Sequence, residues 1–185
     1  MSQAQSRLGE SVLIVVDMQP SFLAPIVGGG AVLEACRFLA KCAGELGVPV
    51  LATEQYPERM GGTDPELATL LDVQPMAKMA FSAWGAPGFP EALGATGARQ
   101  AVLCGIETPI CVTQTALDLL SQGWEVFLAT DALGARSEPA HEAALRRLVG
   151  GGAVPSQAES VVYEWMGSAS HPKFRDVLGL VKSRP

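Results

Sequence analysis

The segment GIETPICVTQTALDLL, Gly105 to Leu120, carries the residue best suited to covalent chemistry. Thr108 can cap a helix, Pro109 suits its first position, and Cys111 then falls in the first turn. A sulfur there faces unpaired backbone N–H groups and the positive end of the helix dipole. Both favour a thiolate and would lower the thiol pKa from its usual value of about 8.5. Such a sulfur is a candidate nucleophile, although a small apolar filler is the commoner role for a lone cysteine in a packed core. Two further groups change the weighting. Lys78 lies inside the apolar stretch MAKMAFSAW, where an unpaired ammonium is costly, and Asp17 closes the apolar run SVLIVV, so the carboxylate is a natural partner for the buried cation.

The elements that must hold these groups follow from the apolar pattern. Ser11–Val16 is a continuous β-branched run of the kind covered on both faces of a sheet, and Gln100–Gly105 and Trp124–Thr130 read the same way. Pro49–Thr53 reads as a further strand and Gln74–Met79 as a short one. Apolar residues at three- and four-residue spacing predict helices over Ala31–Leu46, Thr108–Gln122 and Glu138–Val149, with shorter helical pieces at Asp64–Leu71 and Pro90–Leu93. Strands alternating with helices require right-handed crossovers and a mainly parallel sheet, giving a three-layer α/β/α sandwich. In such sheets ligands sit beyond the carboxyl ends of the strands, which draws attention to Asp17, Glu54, Lys78, Glu107 and Asp131.

Composition narrows the function. At 185 residues, with 48% hydrophobic and 17% charged, the chain fits one ordered domain over residues 1–185, with residues 1–9 expected as a flexible tail. Lys and Arg number 13 against 19 Asp and Glu, a net charge of −6, and no basic run offers a phosphate backbone a footprint, so no nucleic-acid partner is expected. No stretch suits a bilayer and the first residues lack the apolar core of a secretory signal, so no membrane partner and a cytoplasmic location are expected. The four cysteines are then free thiols. His141 and His171 lie too far apart in sequence for the usual zinc spacing, and neither a dinucleotide nor a P-loop fingerprint occurs, so no metal and no cofactor are expected. The nucleophile elbow of serine hydrolases is also missing.

VVDMQ (Val15–Gln19), the Lys78 segment and the run from Gly105 to Arg136 resemble the isochorismatase-like cysteine hydrolase superfamily. TEQYP (Thr53–Pro57) and HPKFRDVLGLVKS (His171–Ser183) are similar to its isochorismatase domain-containing branch. The resemblance implies an isochorismatase-like hydrolase fold and a triad of Asp17, Lys78 and Cys111. It also implies a cis peptide between Ile106 and Glu107 and an oxyanion hole from the backbone N–H groups of Glu107 and Cys111. Gln55 and Pro57 stand where metal-binding nicotinamidases of the superfamily carry an aspartate and histidines, which points away from a metal. The expected activity is therefore hydrolysis of a small amide or related carbonyl compound through an acyl-enzyme. Phe22, Gln55, Tyr56 and Trp84 are candidate pocket residues. The alternative is a non-catalytic scaffold that keeps the fold; a nucleotide-binding module is a third, weaker reading. The resemblance further implies a homo-oligomer, with the Ala-rich helix over Glu138–Val149 as candidate contact surface through Ala140, Ala143, Ala144, Leu145 and Leu148.

Overall fold

Every residue of the run Ser11–Val16 is buried, and alternate side chains enter two separate cores. Leu13 and Val15 point into one, Val12, Ile14 and Val16 into the other. That is the pattern of a strand in the middle of a sheet covered on both faces. The computed structural model describes residues 5–184 and places this strand, β1 (Ser11–Val16), at the centre. The chain continues through α1 (Pro20–Leu23), α2 (Gly29–Leu46), β2 (Val50–Gln55), α3 (Pro57–Met60), α4 (Pro65–Ala68), β3 (Met76–Lys78) and α5 (Phe89–Ala95). β4 (Gln100–Ile106) leads through a π-type turn at Thr108–Val112 into α6 (Thr113–Ser121). Then come β5 (Glu125–Gly134), α7 (Glu138–Gly150), β6 (Val154–Ser156), α8 (Ala158–Met166) and α9 (Phe174–Lys182).

All pairings are parallel, in the order β3-β2-β1-β4-β5-β6. Buried side chains of α2, α8 and α9 fill the core on one face, and those of α5, α6 and α7 fill the core on the other. The three-layer α/β/α sandwich expected from the sequence is therefore present. Strand order reverses between β1 and β4, which opens a crevice at their carboxyl ends. No helix among the described residues is long and apolar enough to cross a membrane.

Three expectations need correction. The tail is not loose where it is described. Ser6 is buried with its N–H on Glu164, and the Arg7 N–H donates to Gln100 at 2.7 Å; residues 1–4 lie outside the described residues. β5 does not stop before Asp131 but runs on to Gly134, because its far half still pairs with β4 at Gly105 and Ile106. In α7, Ala144 and Leu148 pack inside the chain's own core, so only part of the expected contact surface, with Ala143 exposed, remains free.

Gly105 is where the crevice is set. Its φ is +115°, and a Cβ there would lie 2.1 Å from the Val16 carbonyl oxygen. Only glycine lets the end of β4 approach β1 this closely. Gly105→Ala is expected to lower stability by about 1–3 kcal/mol or more, from overpacking against backbone that cannot move aside. Urea unfolding checks this, and an unchanged midpoint would contradict the close approach.

Candidate active site

Asp17 leaves β1 with a left-handed φ of 51°, a conformation that aspartate tolerates better than most residues. Its N–H donates to the Thr53 carbonyl at 3.1 Å, and its own carbonyl accepts from Gln19 N–H at 2.7 Å. This tight turn directs the carboxylate over the end of the sheet. There Oδ1 accepts from the Thr53 hydroxyl at 2.8 Å and Oδ2 from the Lys78 ammonium at 2.7 Å.

Lys78 ends the edge strand β3 with none of its side chain exposed. Besides Asp17, its Nζ donates to Gln55 Oε1 at 2.7 Å and to the Phe81 carbonyl at 2.9 Å. An ammonium has three protons, so these acceptors satisfy it fully. Lys78 is thus a fixed cation. Gln55 is held from both sides: its Nε2 donates to the Met79 carbonyl at 3.1 Å, and its backbone N–H donates to Gln19 Oε1 at 2.7 Å. The buried Gln19 completes the clamp by donating to the carbonyls of Gln55 and Gly61 at 3.1 and 2.6 Å.

Cys111 lies in the π-type turn after β4, its sulfur 4.0 Å from Gln55 Oε1. The Ile106–Glu107 peptide that precedes the turn is cis. Thr108 ties the turn to its surroundings: its hydroxyl donates to the Gly134 carbonyl at 2.9 Å and meets His141 Nδ1 at 3.0 Å. Its carbonyl accepts from the Thr113 hydroxyl at 2.6 Å. Burial pushes the Cys111 thiol up to about 12, with the Asp17 charge adding to the rise and Lys78 opposing it. The lowered pKa expected from a helix start is therefore not found. The N–H groups of Ile110 and Val112, which could have faced a thiolate, both donate to the Glu107 carbonyl at 3.0 and 3.2 Å.

A cavity of about 370 Å³ opens over these groups, lined by Asp17, Gln55, Glu107 and Cys111 together with the apolar side chains of Phe22, Pro25, Phe81, Ile106 and Ile110. Arg136 stands at its rim and bonds Glu107 through Nε at 2.8 Å. Phe22 and Gln55 line this cavity. Tyr56 and Trp84 are not in this cavity. Tyr56 takes a left-handed φ of 44° at the end of β2 and lines a separate groove with Pro57 and Met79. Trp84 packs against the core beneath α5 and α6. Glu54 and Asp131 hold loops instead: Glu54 accepts from Thr63 N–H and hydroxyl at 2.6 and 2.7 Å, and Asp131 caps α8 by accepting from Ala158 N–H at 2.7 Å. Phe81, Ile110 and Arg136 were not foreseen. Among the described residues, no three His, Cys, Asp or Glu side chains converge on a point that could hold a metal ion.

A neutral resting thiol has a measurable signature. Alkylation of Cys111 by iodoacetamide is expected to be slow near pH 7 and to keep rising past pH 10, because only the thiolate reacts and little of it exists below about 12. Mass spectrometry of labelled protein reads this directly, since Cys36, Cys42 and Cys104 are sealed in the core. A plateau below pH 8 would contradict it.

Comparison with known proteins supplies the relationship. A family model described as the isochorismatase domain matches residues 11–160. Isochorismatase domain-containing protein 2 of Bos taurus is 40% identical over 175 residues, covering 94% of this chain and 84% of the relative. The structure of the MAR1 ribonuclease from Caenorhabditis elegans matches with a TM-score of 0.92 at 31% identity, over 98% of this chain and 95% of that one. YcaC from Escherichia coli, described as an octameric hydrolase of unknown specificity, matches with a TM-score of 0.87 at 22% identity, over 99% and 98% of the two chains. At that identity the last likeness concerns the fold alone.

Proposed function

The chain belongs to the isochorismatase family, and we propose that within it this protein is a cysteine hydrolase of a small amide or related carbonyl compound, working through an acyl-enzyme without a metal. One observation carries the reading: the Cys111 thiol and the Asp17 carboxylate face the same cavity, and the carboxylate is held by a cation that has no free proton to offer elsewhere.

The division of labour follows from those contacts. The Cys111 sulfur attacks the carbonyl carbon while its proton passes to Asp17, so the nucleophile is generated in the act of attack rather than stored as a thiolate. The Lys78 ammonium holds Asp17 Oδ2 in place and opposes the rise of the thiol pKa. The carbonyl oxygen, now negative, rests on the backbone N–H groups of Glu107 and Cys111. Collapse of the tetrahedral species breaks the C–N bond, and the departing amine takes the proton from Asp17. Water then adds to the thioester with Asp17 accepting its proton. The second collapse expels the sulfur, which is reprotonated by Asp17, and the acid leaves. Gln55 Oε1, already accepting from Lys78, serves to position that cation rather than a metal ion.

The description of the worm relative as a ribonuclease raises a second reading, phosphodiester cleavage. Against it stand a net charge of −6 and a site whose two cations are each paired with a carboxylate. RNA cleavage that survives Cys111→Ala would favour a ribonuclease acting elsewhere on the surface. The octameric description of the bacterial neighbour supports including self-association in the proposal; a cytoplasmic location is proposed from the sequence alone.

A panel of small primary amides tests the main claim. Ammonia release is expected from some members, Cys111→Ala should remove it by on the order of 10⁴-fold or more, and a strong chelator should leave it unchanged. Activity in Cys111→Ala, or loss on chelation restored by one metal, would refute the assignment. For assembly, light scattering should give a mass well above the 19.3 kDa of one chain. Ala143→Arg, which adds charge to the exposed side of α7 without entering the core, should reduce it if α7 is the contact.

A further inference from the structure

Resting on the hydrolase reading, we infer that the cavity selects acyl groups carrying no net charge, because its three ionic side chains, Asp17, Glu107 and Arg136, are all held in ion pairs, Asp17 by the buried Lys78 behind it, and, Gln55 and Cys111 apart, its remaining walls are apolar. At the closed end Lys78 meets Asp17 at 2.7 Å; at the mouth Arg136 meets Glu107 at 2.8 Å. Two cations and two carboxylates cancel. Between the pairs run Phe22, Pro25, Phe81, Ile106 and Ile110.

A substrate carboxylate has only Arg136 to approach, because Lys78 is fully buried and saturated. The Arg136 side chain is 60% exposed, but its Nε already serves Glu107, whose carboxylate is only 15% exposed and so cannot withdraw far into water. A second anion there would crowd two carboxylates onto one guanidinium. An ammonium approaching Glu107 meets the same obstacle with signs reversed. Either charge, drawn further in, would lose its hydration against hydrocarbon without gaining a partner. A neutral chain meets no such penalty and gains by covering Phe22, Phe81 and Ile110. The volume of about 370 Å³ stands near the lower end of small-molecule pockets, so the acyl group is short.

Charge selection can be read without turnover. Three iodoacetamides bearing butyl, 3-carboxypropyl and 4-aminobutyl groups on nitrogen are compared by their rates of Cys111 modification at about pH 9.5, where more thiolate is present and the amine is still mostly protonated, each divided by its rate with a small free thiol. The neutral reagent should exceed both charged ones by about tenfold or more. Glu107→Gln, which frees the guanidinium, should raise the carboxylate-to-butyl ratio by about fivefold or more, and Arg136→Gln should do the same for the ammonium-to-butyl ratio. A pair that only braces the turn would change all three rates alike and leave the ratios fixed. Equal or faster reaction of either charged reagent with the unmodified protein overturns the inference, as does unchanged ranking in both variants or no labelling by any reagent. Failure of the hydrolase reading looks different: no amide is turned over in a Cys111-dependent way, while the charge ranking of labelling persists.

Discussion

An ammonium carried into an apolar interior loses hydration worth several kcal/mol, and Lys78 is carried there with no exposed side-chain surface. The surrounding structure can be understood as the means of compensating that one group. Its three donors require three acceptors in tetrahedral array, and they come from three places: the end of β1, the end of β2 and the loop after β3. Each acceptor must in turn be fixed. Thr53 secures Asp17, Gln19 and Met79 secure Gln55, and the chain after Lys78 folds back so that Phe81 presents its carbonyl. The carboxylate that could accept a proton from sulfur is therefore immobile because the cation beside it must be satisfied.

The central sheet was open to reading because its strands are uninterrupted apolar runs. β1 has the bounds expected, and β4 exceeds them by one residue. Lys78 stood out for the same physical reason that now makes it central, since a charge inside MAKMAFSAW demands a partner. The rim was not open to reading. Arg136 becomes part of the cavity only because β5 continues past Asp131 and turns beside Glu107, a juxtaposition made by sheet register rather than by local spacing. Tyr56 was misdirected because a left-handed backbone at the end of β2 swings its side chain to the other side of Lys78.

Thiol acidity failed as a local inference for an instructive reason. A helix start stabilises a thiolate only if its N–H groups remain available, and in the π-type turn two of them converge on the Glu107 carbonyl. Burial then dominates. The carboxyl-terminal elements were missed for a different one. β6 is three residues long with Pro155 at its centre, and it becomes a strand only through pairing with Phe127–Ala129 of β5. α9 did carry a signal: Val177, Leu180 and Val181 recur at helical spacing, and all three pack on the core beside α2.

The cation of the site is supplied by one of the two short edge strands of the sheet. β1 and β4, which carry Asp17 and lead to Cys111, are flanked by strands on both sides, whereas β3 is three residues long, lies at the edge and pairs only with β2. Free energies of local opening differ across a protein, and short edge elements open first. Fraying of β3 would withdraw the ammonium while the base and the sulfur stayed anchored in the interior. For the proposed hydrolase, this placement implies that activity would be lost in mild denaturant or on gentle warming before the central sheet gives way.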